Sequence, residues 1–156
     1  ELVKIPFFGY LYRRAAIMVD RSSSKSRYGV YGRATKVLEN GFSICIFPEK
    51  EYTDETILLN TFKQGAFKLA IEHQLEICPM VFLDCKRKYP WYTTHGFPGT
   101  LRVDIYPKIT TKGLSEEDIP SLQRNVYNKI NDALENDPQQ KAIEAIAVWK
   151  KIKKIS

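Results

Sequence analysis

The sequence predicts an α/β fold in which a mostly parallel sheet is flanked by helices. Apolar residues fill segments 42–47 and 77–83 without the alternation of a half-exposed strand, which indicates strands covered on both faces. Segments with helical spacing of apolar residues separate these strands along the chain. The chain has 156 residues, of which 44% are hydrophobic, so it is long enough to bury one core.

The N-terminal third is predicted to form a helix, a strand and a second helix. Apolar residues at helical spacing indicate a helix over 5–14 that ends in two arginines. Residues 15–19 read as a short apolar strand. A polar loop over 22–29 leads to a helix over 31–39, which the Asn-Gly pair at 40–41 ends.

The rest of the chain continues this alternation. We expect Ser115 and Asp118 to form a capping box before a helix whose apolar residues recur every four positions, and Pro138 to break that helix. Residues 1–137 are predicted to form one α/β domain and 138–156 a basic amphipathic helix. The domain is expected to be incomplete at its N-terminus, because the sequence opens with Glu1 on a segment of internal character. The other predicted elements are strand 42–47, helix 62–74, strand 77–83 and an alternating strand over 101–107.

Composition limits the partners. The net charge is +6 and the pI is near 9.2, which favours anionic partners. No nucleic-acid-binding motif and no His/Cys cluster with ligand spacing is present, so we expect no nucleic acid, no metal and no other cofactor. No run approaches the ~20 apolar residues of a membrane span. Cys45, Cys78 and Cys85 form no CxxC pair, and we expect reduced thiols, with Cys45 and Cys78 buried in apolar runs.

Two predicted strands end in charged residues. Asp-Arg follows the first at 20–21, and Glu-Lys follows the second at 49–50. Ligands of open parallel sheets bind beyond the carboxyl ends of the strands. If the two strands are neighbours, their cations would bind a phosphate; the alternative is that they are solvated surface charges. The cations concerned are Arg21, Lys25, Arg27 and Lys50.

Four sequence blocks stand in order along the first half of the chain. They are PFFGYLYRRAAIMVDRS at 6–22, IFPE at 46–49, FKQGAFKLAIEHQ at 62–74 and ICPMVF at 77–82. Together they resemble the 1-acylglycerol-3-phosphate acyltransferase (lysophosphatidic acid acyltransferase) family. The resemblance implies transfer of a fatty acyl group from an acyl carrier protein or coenzyme A thioester to the free hydroxyl of 1-acylglycerol 3-phosphate, giving phosphatidic acid. It also implies a location at the cytoplasmic face of a membrane.

The catalytic unit that the resemblance implies is a His followed five positions later by an Asp. The His would act as general base and the Asp would orient it. Neither histidine fits, because Cys78 follows His73 and Thr100 follows His95 at that spacing. In the family the pair precedes the Pro-Phe-Phe-Gly block. We therefore expect the pair upstream of residue 1, assign no catalytic residue in this chain and expect the chain alone to be inactive.

The resemblance also implies substrate-binding residues. Arg21 is carried over from the Asp-Arg block and Lys63 from the Phe-Lys-x-Gly block. The family commonly continues Phe-Pro-Glu with Gly-Thr-Arg-Ser; here Lys50 follows, and we interpret it as a substitute for the missing arginine. Glu49 is expected to position the substrate, because a carboxylate of ordinary pKa is too weak to be the main base.

The C-terminal segment 139–156 concentrates positive charge. From residue 141 onward it contains five lysines and one glutamate, and its apolar residues, with Trp149 among them, follow helical spacing. We expect an amphipathic helix on an anionic membrane surface. The alternative is a helix docked on the domain with a solvated lysine face.

Two other functions stay open from the sequence. One is acyl transfer to a different acceptor, such as glycerol 3-phosphate or an ornithine lipid. The other is a non-catalytic membrane-binding module. We also expect the chain to self-associate, because loss of the first strand and helix of the domain would expose apolar surface.

Overall fold

The chain divides into two compact units, Glu1–Phe47 and Pro48–Ser156. The predicted division after residue 137 stays a prediction, since residues 140–156 lie outside the described part of the chain. The computed structural model describes residues 7–17, 24–50, 57–88, 96 and 98–139.

In the described part of the first unit there are two helices, α1 (Phe8–Ala15) and α2 (Ser24–Glu39). Both were predicted, although α2 begins earlier than expected. Gly41 has a φ of 79°, a left-handed conformation that glycine adopts without strain, so the Asn-Gly stop is confirmed. The strand predicted over 15–19 begins differently in the structure. Ala15 is the last residue of α1, and the N–H of Ala16 donates to the carbonyl of Tyr12 in α1. Residues 18–19 lie outside the described residues.

The prediction of a buried strand over 42–47 is wrong. Phe42 is 66% exposed and Phe47 is 76% exposed, and no strand of the described residues pairs with the segment. Pairing begins only at Glu49. Pro48 has no N–H to donate, so a ladder cannot run back through it towards residue 42. The prediction that Cys45 and Cys78 are buried is also wrong, because all three cysteines are free and exposed.

The second unit is built on helices packed around one main core. Phe67 and Ile71 of the first helix meet Leu122 and Val126 of the last, and Phe62 completes the cluster. The capping box of Ser115 and Asp118 before the long helix is confirmed. Among the described residues, the elements of the second unit are α3 (Gly65–Glu72), β1 (Met80–Phe82), α4 (Cys85–Lys88), β2 (Val103–Ile105), a 3-10 helix (Glu116–Asp118) and α5 (Ile119–Asn136).

The sheet within the described residues is the antiparallel pair β1–β2. This differs from the mostly parallel arrangement that was predicted. A parallel pair needs a crossover, usually a helix of several turns, whereas the described part of this connection contains only the single turn α4. Val81 faces α5 and is buried with Leu83 and Leu134. The opposite face is apolar and exposed, through Met80, Phe82, Val103 and Ile105.

A buried ion cluster joins three element ends in the second unit. Arg102, just before β2, donates to both carboxylate oxygens of Asp84, at 2.7 and 2.9 Å. It also donates to both oxygens of Asp137, just after α5, at 2.8 and 2.9 Å. Asp84 is 1% exposed and Asp137 5% exposed. The hydrogen bonds from Arg102 lower the pKa of Asp137 below its ordinary value of 3.8, and those to Asp137 and Asp84 raise the pKa of Arg102.

The described helices include none that is both long enough and apolar enough to cross a bilayer.

Acid should weaken the folded state through Asp137. Its pKa is lower in the folded state than in the unfolded one, so its carboxylate adds stability above pH 3.8, and this contribution is lost as the pH falls through the folded value. We predict that Asp137→Asn lowers the free energy of unfolding at pH 7 by roughly 1 kcal/mol. The difference from the unsubstituted chain should shrink by about pH 3. Urea unfolding at both pH values measures it; a difference that stays constant with pH would contradict the assignment.

Candidate functional site

Three of the four predicted substrate-binding residues lie on one short piece of backbone pairing. Glu49 stands directly opposite Phe62 in an isolated antiparallel bridge. Lys50 and Lys63 follow these two residues, so the bridge brings the second and third sequence blocks together. Arg21 lies outside the described residues.

The hydrogen bonds of the bridge define its register. The Lys63 N–H donates to the Pro48 carbonyl at 2.8 Å, and the Lys50 N–H donates to the Thr61 carbonyl at 2.9 Å. These two bonds flank Glu49 and Phe62, which therefore form a non-hydrogen-bonded pair with close side chains.

The register separates the side chains onto two faces. Successive residues of extended chain point to opposite sides, so Glu49 and Phe62 share one face and Lys50 and Lys63 share the other. Burial agrees, because Phe62 is only 8% exposed whereas both lysines are exposed. Diagonal neighbours of this kind have Cα atoms roughly 7–8 Å apart, with Cβ atoms somewhat closer. Both ammonium groups can therefore reach one small anion.

Glu49 makes a structural contact on the other face. Its Oε1 accepts the backbone N–H of Asn60 at 2.8 Å, across a separation of 11 residues. The side chain is half-buried. The sequence predicted that Glu49 positions the substrate, which stays a prediction, and gave no sign of this backbone partner.

The core holds this segment in place. The ring of Phe62 stacks on Phe67 with centroids 6.3 Å apart and meets Tyr127 edge-on at 5.1 Å. From α5, Gln123 Nε2 donates to the Phe62 carbonyl at 2.7 Å, and the Tyr127 hydroxyl donates to the Leu59 carbonyl at 3.0 Å. Sequence analysis missed Gln123 and Tyr127. Each directly follows a member of the predicted apolar stripe, which was a weak signal for an inward-facing polar group.

The two site lysines differ from other lysines of the second unit in their charge environment. Lys68 pairs with Glu116 and Lys108 pairs with Glu76, each at 3.0 Å. Neither Lys50 nor Lys63 forms an ion pair with a carboxylate of the described residues. Two like charges on one face repel each other, so an anion bound between them would be stabilised.

The described histidine lies at a helix terminus. His73 is the C-cap of α3, where its backbone N–H donates to the Leu69 carbonyl at 3.2 Å, and it is half-buried. His95 lies outside the described residues. Within the described residues, no three His, Cys, Asp or Glu side chains come together as a metal site.

Comparisons with known proteins agree with the four blocks. A family model described as "Acyltransferase" matches residues 1–83. The mouse protein named 1-acyl-sn-glycerol-3-phosphate acyltransferase alpha is 30% identical over 119 residues, which cover 73% of this chain and 40% of the mouse protein. The yeast protein named 1-acyl-sn-glycerol-3-phosphate acyltransferase is 27% identical over 139 residues, covering 86% of this chain and 45% of the yeast protein. The chain thus spans less than half the length of these relatives.

A solved structure confirms the predicted acyltransferase-like fold, although the described strands pair antiparallel. The crystal structure of the 1-acyl-sn-glycerophosphate (LPA) acyltransferase PlsC from Thermotoga maritima matches with a TM-score of 0.67 at 22% identity, and the match covers 86% of this chain and 52% of that one. The family model covers more than half of the chain, from the PFFG block at 6–9 through β1. The chain therefore belongs to the acyltransferase family.

Proposed function

We propose that this chain is part of an enzyme that transfers a fatty acyl group to the free hydroxyl of 1-acylglycerol 3-phosphate and so produces phosphatidic acid. The family match over residues 1–83 and the names of relatives at 27–30% identity support this activity. The proposed acyl donor is a thioester of acyl carrier protein or coenzyme A, the reactive form whose acyl carbon a hydroxyl can attack.

Within that reaction, the chain would hold the phosphate of the acceptor. The observation that carries this role is the shared exposed face of Lys50 and Lys63, fixed by the bridge between Glu49 and Phe62. Lysine binds phosphate as a compact point charge with three donors. Arg21, which is outside the described residues, is proposed as a further phosphate ligand from its place in the first block.

Holding the phosphate would fix the acceptor for attack. A bound lysophosphatidic acid has its reacting hydroxyl on the same glycerol unit as its phosphate, so an anchored phosphate restricts where that hydroxyl can lie. Deprotonation of the hydroxyl needs a base, and we propose that the His-Asp pair of a longer chain supplies it. Neither His73 nor His95 is followed by the matching Asp.

The lysine face can be tested by ligand binding without catalysis. We predict that the chain binds sn-glycerol 3-phosphate and not glycerol, and that the double variant Lys50→Gln/Lys63→Gln binds it at least about tenfold more weakly, because two charge-assisted contacts are lost. Isothermal titration calorimetry at low salt measures the affinity.

The matched control is Lys68→Gln/Lys108→Gln, which removes the same charge from lysines that already pair with carboxylates. Its affinity should stay within about twofold of the unsubstituted chain, since distant exposed charges are screened. Equal losses in the two double variants would show that only net charge attracts the ligand.

Catalysis by the chain alone gives a separate prediction. Without a His-Asp pair at the spacing of five, the 156-residue chain should acylate lysophosphatidic acid no faster than a blank without protein. Product formation from radiolabelled acyl-coenzyme A and from acyl carrier protein thioester measures this rate. A rate well above the blank would mean that the reaction uses other residues of this chain.

We also propose that the protein works at the cytoplasmic face of a membrane, since a lysophospholipid acceptor resides there. The support is the charge of the segment from residue 141 onward, with five lysines and one glutamate. Juxtamembrane basic residues each contribute about 1 kcal/mol to binding an anionic leaflet.

Vesicle co-sedimentation tests this location. The chain should pellet with vesicles containing anionic phosphatidylserine and not with phosphatidylcholine alone. Changing Lys150, Lys151, Lys153 and Lys154 to Gln should abolish most of the binding, as the loss of four contributions of about 1 kcal/mol implies. The control changes Lys68, Lys108, Lys112 and Lys129 to Gln. Similar loss from both sets would contradict a role specific to the C-terminal segment.

A further inference from the structure

We propose that Glu49 is a positioning residue that ties the backbone at residue 49 to the backbone at residue 60 through the Asn60 amide and does not itself contact the substrate. The inference deepens the proposed function, on which it rests, by separating the roles of the two neighbouring charged residues. Lys50 faces the ligand, and Glu49 holds the backbone that presents Lys50.

The contact has the form of a structural hydrogen bond. Glu49 Oε1 accepts the Asn60 N–H at 2.8 Å, and the side chain is half-buried. A carboxylate that accepts a backbone N–H makes a charge-assisted bond, which is stronger than a neutral one. The partner is a main-chain N–H and not a mobile side chain, so the bond fixes the backbone two residues before Phe62.

The local backbone explains why such a bond is needed. Pro48 has no N–H, and the Thr61 N–H is already taken by Asn60 Oδ1 at 2.7 Å. Among the described residues, the backbone pairing around Glu49 and Phe62 consists of the two bonds donated by the N–H groups of Lys50 and Lys63. The Glu49 carboxylate adds a third bond at the point where the ladder cannot continue.

The register gives this bond its importance for binding. A slip of one residue along an extended segment turns every side chain to the opposite face. Such a slip would move Lys50 towards the Phe62 side and Glu49 towards the solvent side. By tying residue 49 to Asn60, the carboxylate keeps both lysines on the exposed face.

The same geometry argues against direct binding of the substrate by Glu49. The carboxylate lies on the face of Phe62, and the lysines lie on the other. A group that touched the phosphate or glycerol beside the two lysines would need to point with them. Repulsion between a carboxylate and a phosphate also disfavours that arrangement.

Glu49→Gln and Glu49→Ala separate the two roles. Gln keeps an acceptor oxygen of nearly the same shape and removes the charge, whereas Ala removes both. Two readouts are used on the full 156-residue chain: hydrogen exchange of the Asn60 amide without ligand, and affinity for sn-glycerol 3-phosphate. The amide of Val126 in α5 serves as the internal control for folding.

If Glu49 is a positioning residue, Glu49→Gln should keep the exchange rate of the Asn60 amide within about threefold of the unsubstituted chain and lose no more than about twofold in affinity. In Glu49→Ala the Asn60 amide should exchange about tenfold faster, and the ligand should bind about tenfold more weakly. The exchange rate of the Val126 amide should not change.

An equal loss of affinity in both variants, or an Asn60 exchange rate unaffected by Glu49→Ala, would overturn the inference. If Glu49→Ala fails to fold, Glu49→Gln decides alone. Should the unsubstituted chain not bind glycerol 3-phosphate, the proposed function fails, and the exchange readout still tests the contact.

Discussion

The burial of Phe62 is the constraint on which the candidate site depends. Its ring packs against Phe67 and Tyr127, and its carbonyl accepts a hydrogen bond from Gln123. An aromatic side chain in a closely packed core cannot turn outward without leaving a cavity that costs about 3–5 kcal/mol. Because Phe62 opposes Glu49 in the bridge, this core contact decides which way the neighbouring lysines face.

The charges of the second unit divide into those that hold the fold and those available to a ligand. Arg102 gives hydrogen bonds to two buried carboxylates and so ties the ends of β1, β2 and α5 together. Lys68 and Lys108 are paired at the surface. Lys50 and Lys63 form no ion pair with the described carboxylates and share a face. These two lysines are therefore the charges that the proposed phosphate site uses.

Sequence reasoning predicted what local patterns determine and missed what distant contacts determine. The stop of α2 at Gly41, the capping box at Ser115 and the apolar stripe of α5 follow from short-range rules, and the structure shows all three. The four blocks identified the family; two of them supplied Glu49 and Lys63, and Lys50 came from the position directly after the second block. The strand predicted over 42–47 failed because apolar content indicates burial only where another element covers it. The inward turn of Glu49 was missed because it depends on pairing with a residue 13 positions away. Arg102 was missed because its two carboxylate partners lie 18 and 35 positions away along the chain.

The most direct test of the account is an NMR measurement of the bridge register in the 156-residue chain. In a non-hydrogen-bonded antiparallel pair the Cα atoms are about 4.5 Å apart, which brings the two Hα atoms into close contact. The account predicts a strong Hα–Hα cross-peak between Glu49 and Phe62. A cross-peak from Glu49 to the Hα of Lys63 instead would shift the register by one residue, place the lysines on different faces and contradict the proposed phosphate site.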